Sequence, residues 1–214
     1  MSKEFIYLFN LSEVNFTNSL EVNKYLIIQH LVYLKNLKNN DNLILAGTTL
    51  NEFCEIIIVK CKDREQAEEI VDNDPYTKKN IFPVSLFDFR ASLVLNEPVE
   101  EVETEKGVNI KSLYKTSTNQ YLGTVTPRPT FINDVTEEEN KVMGIHFQYL
   151  KSRYDKKKLF LAGPILEEGT FGVSVFSAES LDEANQFQKQ DPAVMAGIME
   201  SKVHPFRIFF LGTK

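Results

Sequence analysis

The sequence predicts an α+β chain built from two ferredoxin-like (βαββαβ) repeats, and three observations carry that prediction. First, His30, Tyr33, Leu34 and Lys35, followed after seven residues by Leu43, Leu45, Ala46 and Gly47, recur as His146, Tyr149, Leu150 and Lys151, followed after seven residues by Leu159, Leu161, Ala162 and Gly163. Eight identities at identical spacing in an eighteen-residue window exceed what helix or strand periodicity produces by chance, so the chain is an internal duplication. Second, Ala67-x6-Asp74-Pro75 matches Ala184-x6-Asp191-Pro192, and the offset between copies moves only from 116 to 117 residues. Third, the element signals in each copy run strand, helix, strand, strand, helix, strand. In that order both helices cover one face of a four-stranded antiparallel sheet, and the other face is left bare and must find cover.

In the first copy, Phe5 to Phe9 is an apolar run closed by Asn10, a buried-strand signal. A polar loop through Asn18 leads to a helix from about Leu20 to Asn39, on which Ile27, His30, Leu34 and Leu37 share one face. The cluster Asn39-Asn40-Asp41-Asn42 stops it. Leu43 to Ala46 and Cys54 to Cys61 read as paired strands. Asp63 is placed to cap a second helix with Ala67, Ile70 and Val71 inside, and Pro83 opens a last strand over Val84 to Leu95.

The acidic stretch 96–119, with Pro98 and Gly107, reads as a surface linker, along which Ile110 to Tyr114 can cling to the body. The expected division is therefore 1–95, linker 96–119, and 120–214. The second copy opens with the strand Tyr121 to Thr126, broken by Pro127-Arg128-Pro129, and Thr136-x-x-Glu139 is a capping box. Met143, Phe147, Leu150 and Tyr154 are expected to line the buried face of the helix it opens, with His146 at the edge of that stripe. Strands at Leu159–Ala162, Gly172–Ser177 and Val203–Leu211, and a helix over Ser180–Gln190, complete the copy.

Composition narrows the partners. A net charge of −6 and a pI near 5.2 argue against nucleic acid and anionic membranes, because no basic patch is present to neutralise phosphates. No segment has the apolar length of a membrane span, and the N-terminus does not read as a signal peptide. Cys54 and Cys61 lie in one copy only, which fits reduced, apolar cysteines in a cytoplasmic protein rather than a disulfide framework or a metal cluster. The three histidines show no metal-binding spacing, and no phosphate loop or nucleophile elbow is present. The expectation is that neither a metal nor a cofactor takes part.

The His-x2-Tyr-Leu helix pattern, Leu161-Ala162-Gly163-Pro164, Asp191-Pro192-x4-Gly197 before His204-Pro205-Phe206, and Arg128-Pro129-Thr130-Phe131 together resemble the YCII-related domains of the dimeric α/β-barrel superfamily. The first copy departs from the pattern: Thr48 replaces the proline, and nothing corresponds to Arg128. The resemblance implies that the bare sheet faces of the two copies meet, so that one chain forms a pseudo-dimeric α/β barrel, with further homo-oligomers open. It also implies a site around the histidine and aspartate and a small-molecule ligand in a barrel or cleft.

His146 and Asp191 are the candidate catalytic pair, since a carboxylate that fixes the tautomer of an imidazole makes it a useful general base near neutral pH. Asp191 before Pro192 is equally placed to cap a short helix, and one carboxylate can do both. His30 and Asp74 are the equivalent candidates in the first copy. Arg128, stiffened by two prolines, can hold an anion or pair with Glu137 or Glu138. Gly163 is a candidate for backbone contact with a ligand. Tyr33 and Tyr149 read as packing residues. Two functions stay open: a cofactor-independent isomerase- or lyase-type enzyme acting on a small cyclic or enolisable substrate, or a non-catalytic binding or structural module in which His-Asp stabilises the fold. The second copy is expected to carry the site and the first to have drifted into support.

Overall fold

The structure is a computed structural model that describes residues 2–11, 24–52, 54–104, 110–114, 118–167 and 169–214. The expected loop through Asn18 and helix start at Leu20 lie outside these residues. Contacts divide the chain into two units, one of Met1–Phe89, Asn96–Thr118 and Phe206–Lys214, the other of Arg90–Leu95 and Asn119–Pro205.

The first unit contains β1 (Lys3–Asn10), α1 (Lys24–Asn39), β2 (Leu43–Thr49), β3 (Cys54–Cys61), α2 (Arg64–Asn73), α3 (Pro75–Lys78), β4 (Val84–Phe89) and α4 (Ile110–Leu113). Its strands follow the order β4-β1-β3-β2, all antiparallel. Ile27, His30, Leu31, Leu34 and Leu37 are the buried face of α1, the stripe that the periodicity predicts plus Leu31. Asp63 caps α2 by accepting from the Gln66 N–H. Of the acidic stretch, Ile110, Leu113 and Tyr114 join the apolar core of this unit. Cys54 and Cys61 are free thiols at the two ends of β3, the first half-buried and the second buried. Burial, then the charge of Glu55, pushes the Cys54 thiol up to about 11, so it is held protonated and unreactive.

The second unit contains β5 (Leu93–Val94), β6 (Gln120–Pro127), α5 (Phe131–Asp134), α6 (Glu137–Asp155), β7 (Leu159–Pro164), β8 (Gly172–Ser177), α7 (Leu181–Lys189), α8 (Pro192–Met195) and the Met199–Pro205 part of β9 (Met199–Leu211). The strand order is β9-β6-β8-β7-β5, the ferredoxin-like order of the first unit with β5 added. The capping box at Thr136 and Glu139 forms as expected. Both copies carry a register shift at the same point of the duplicated Leu-x-Leu-Ala-Gly strand, between Leu43 and Leu45 in β2 and between Leu159 and Leu161 in β7. A bulge kept in both copies fixes which residues correspond.

Two expectations are corrected. The strand predicted over Val84–Leu95 is two strands, because the backbone changes partner after Phe89. Up to that residue β4 pairs with β1, whereas the Arg90 and Ser92 N–H groups donate to Pro164 O (3.1 Å) and Ala162 O (2.9 Å). On α6 only Leu150 is buried; Met143 and Tyr154 are half-buried and Phe147 is exposed. The reason is that this face of the helix borders an open cavity.

Candidate functional site

The cavity has a volume of about 420 Å³ and is walled entirely by the second unit. Met143, His146, Phe147 and Leu150 of α6 line it, as do Val125 and Pro127 of β6, Ala162 and Gly163 of β7, and Ser174 of β8. Arg90, Ser92 and Leu93, the loop carrying Arg128 and Phe131, residues 164–166 and 169–173, and Gln188, Asp191 and Met199 also contribute. Its size and mostly apolar lining with a few polar groups are those of a small-molecule site.

Every sequence-predicted site residue of the second copy lines this space. His146 Nδ1 lies 2.8 Å and 2.7 Å from the two oxygens of Asp191. A carboxylate can only accept, so Nδ1 carries a proton, and in the neutral ring the lone pair is then on Nε2. Among the described residues Nε2 has no hydrogen-bond partner. The imidazole side chain is 13% exposed and Asp191 2%. Asp191 also caps α8, its Oδ1 accepting from the Ala193 N–H at 2.9 Å, so the cap and the imidazole partner are one group. Gly163 pairs with Val173 and lines the cavity with its backbone.

Arg128 is differently placed from both readings offered by the sequence. Nε and Nη2 bind Glu139 at 3.1 and 3.0 Å, Nη1 binds Thr130 Oγ1 at 2.7 Å and Asp134 Oδ1, and Nη2 also binds the Asp134 carbonyl at 3.2 Å. Its carboxylate partners are Asp134 and Glu139, not Glu137 or Glu138. All five guanidinium N–H groups therefore have acceptors within its own loop and helix start. The Arg128 hydrogen bonds, then the Thr136 N–H, hold the Glu139 carboxyl down at about 2.

Two residues that sequence reasoning passed over also shape the site. Gln188 is buried and its Nε2 donates to Ser174 Oγ (2.9 Å), which donates to the Gly123 carbonyl (3.3 Å). A Cβ on Gly123 would lie 1.9 Å from Gln188 Nε2, so only glycine admits this packing. The available signal was polarity: Gln188 falls on the apolar stripe of α7 with Ala184 and Phe187.

In the first unit the same pair is enclosed. His30 and Asp74 are fully buried. His30 Nδ1 is 2.8 Å from Asp74 Oδ1, and Nε2 is 3.0 Å from Glu55 Oε2, a charge contact rather than an aligned hydrogen bond. Asp74 also accepts from Tyr7 OH (3.2 Å) and the Tyr76 N–H (3.0 Å), and Glu55 accepts from Tyr114 OH (3.0 Å). Burial opposes a charged imidazole, but Asp74 and then Glu55 outweigh it and push His30 up to about 10.

Register shows how that space was filled. Ala46 pairs with Ile57 as Ala162 pairs with Ser174, so Ile57 and Ser174 correspond. From there Tyr7 and Phe9 stand where the second unit has Gly123 and Val125, and Glu55 where it has Gly172. After the Asp-Pro pair, Tyr76 stands where the second unit has Ala193. The Tyr76 ring stacks on His30 at 4.0 Å with a 9° tilt. Tyr33 OH and Tyr149 OH donate to the equivalent carbonyls of Ile70 (2.7 Å) and Phe187 (2.8 Å), which makes them packing residues in both copies.

The model of the YCII-related domain matches residues 10–90 and again residues 120–207. The chain belongs to the YCII-related domain family. No curated protein matches this YCII-related protein. A candidate monooxygenase from Fusobacterium nucleatum subsp. nucleatum is 9% identical, with a TM-score of 0.57 over 100% of this chain and 94% of its own. Another from Lactobacillus acidophilus is 10% identical, with a TM-score of 0.55 over 99% and 96%. A heme-binding protein from Thermus thermophilus is 10% identical, with a TM-score of 0.52 over 96% and 92%. At these identities the likeness is one of fold, and it extends over nearly the whole duplicated chain.

Among the described residues no group of three or more His, Cys, Asp or Glu is clustered to hold a metal ion, and no helix is long and apolar enough to cross a membrane. A haem iron needs one axial nitrogen, which His146 could offer with Asp191 behind it. The two propionates are the stricter requirement. Arg128 has no donor left, and Arg90 is the other arginine on the described wall. The donor set does not fit that dianionic macrocycle.

Proposed function

We propose that the second unit of this YCII-related protein is a cofactor-independent general-base site acting on a small cyclic or enolisable compound. The observation that carries this reading is the placement of His146: Nδ1 is committed to Asp191, while Nε2 has no partner among the described residues, on a side chain that lines an apolar cavity. Nε2 takes a proton from a carbon next to a carbonyl, and the electron pair left behind forms the enolate. Asp191 stabilises the imidazolium that results. Returning the proton to a different carbon completes an isomerisation; expelling a leaving group with the electron pair completes an elimination. Neither course calls for an oxidant or reductant. The structures of similar fold include proteins named for oxygenase chemistry and for heme binding, which supports an assignment to small-molecule work without deciding the reaction.

The alternative, a non-catalytic module, is favoured by one observation in the first unit alone: His30 is buried and both its ring nitrogens are engaged. The experiment is proton exchange in deuterated water over a panel of small cyclic enones, lactones and ring-bearing keto acids, followed by proton NMR. Wild-type protein is expected to accelerate exchange, and His146→Gln to lower the rate by about 100- to 10,000-fold. Exchange that survives this substitution rules out the general-base role, whereas loss of exchange in His30→Gln without unfolding would move the site to the other unit.

A further inference from the structure

Two arginines line the cavity, and the family motif draws attention to Arg128 rather than to Arg90. Arg128 belongs to the motif shared with the family, yet Asp134, Glu139 and Thr130 occupy its five donors, and the two carboxylates outweigh its charge. It cannot take a ligand anion without surrendering a bond it already has. Arg90 is the reverse case. It is exposed, lines the cavity, and its side chain has no hydrogen bond or ion pair among the described residues. An exposed side chain that is also part of the lining stands where the cavity meets solvent. Its backbone is fixed there: the Arg90 N–H donates to Pro164 O at 3.1 Å, and three residues on Leu93 pairs with Ala162 in β7.

The other polar groups on the wall are uncharged or already committed. Asp191 is held by His146 and by the cap of α8, while Ser174 and Gln188 bond each other. We infer that Arg90 is the anion anchor of the cavity, and that the ligand is a small monoanion with an apolar, ring-sized body, such as a carboxylate or a stabilised enolate, rather than a neutral compound. The guanidinium presents a planar fork that matches a carboxylate or a vicinal pair of oxygens, and its charge also favours an enolate formed within the same cavity. This rests on the reading of the cavity as a ligand site and adds the class of ligand.

The test is calorimetric titration of the full chain with benzoate and with benzamide, which share a ring and differ in charge. Wild-type protein is expected to prefer benzoate. Arg90→Gln should weaken benzoate roughly tenfold and leave benzamide unchanged, as expected for loss of one charged contact. Arg90→Lys should retain part of the preference. Thermal midpoints confirm that each variant is folded. No saturable benzoate binding to wild-type protein, equal affinity for the two probes, or an unchanged preference in Arg90→Gln overturns the assignment. Exchange on an anionic keto acid that depends on His146 but not on Arg90 sinks the anchor alone. Benzoate binding that depends on Arg90, with no exchange on any substrate, sinks the general base and leaves the anchor standing.

Discussion

His30 and His146 descend from one residue and now occupy opposite physical situations. His30 lies buried between two carboxyl groups that favour its charged form, so removing it leaves Asp74 and Glu55 without their shared buried partner. His30→Gln is therefore expected to cost about 3–5 kcal/mol, whereas His146→Gln, with one nitrogen free and a cavity beside it, should stay within about 1 kcal/mol. Chemical denaturation of both variants checks the contrast, and equal losses would contradict it. A pH dependence follows from the same site. The folded-state value of His30 is raised from about 6.5 to about 10, so the unfolded chain releases this proton first as pH rises. The stabilisation is fully present below about pH 6.5 and is lost as pH rises through about 10. Melting midpoints across that window should fall in wild-type protein and fall less in His30→Gln; parallel curves would mean that the imidazole is not charged.

At the scale of elements, Asp191 joins two tasks that substitution can separate. Asparagine caps a helix as well as aspartate does, and alanine does not. Asp191→Asn should thus keep the melting midpoint of wild type, Asp191→Ala should lose about 1 kcal/mol, and both should lose the exchange that depends on His146. If Asp191→Asn kept full exchange, the carboxylate would be a cap only. The strand register makes a second prediction. Gly123 lies against the Gln188–Ser174 pair, so Gly123→Ala must displace Gln188 or bend β6, at a cost of about 1–3 kcal/mol. Gly144, whose Cβ would meet nothing within 4 Å, should accept alanine without loss. Differential scanning calorimetry of the two variants decides whether the close approach is real.

For the molecule as a whole, the duplication and the order of elements were legible in the sequence because they rest on spacing, and spacing survives divergence. Both repeats, both Asp-Pro caps, the Thr136 capping box and the packing role of Tyr33 and Tyr149 could be read from it, though not the carbonyls those tyrosines bond. What could not be read was which positions face one another across strands. The filling of the first site by Tyr7, Phe9, Glu55 and Tyr76 appears only once the register is known, and Arg90 looked like the interior of a strand because nothing local marks the change of partner after Phe89. The expectation that one copy would keep the site and the other support the fold has a physical form in the equivalent residues Leu34 and Leu150. Leu34 is 0% exposed within the first unit's core, while Leu150 is 8% exposed and borders the cavity. Truncating Leu34 removes methyl groups that have neighbours on every side, and Leu34→Ala should cost toward the upper end of about 2–5 kcal/mol. Leu150 has already forgone contacts on its cavity side, so Leu150→Ala should cost about 2 kcal/mol or less while enlarging the site. The measurement is the paired loss in unfolding free energy. A larger loss for Leu150 than for Leu34 would mean that the second unit is packed as tightly as the first, and the division of labour between the copies would fail.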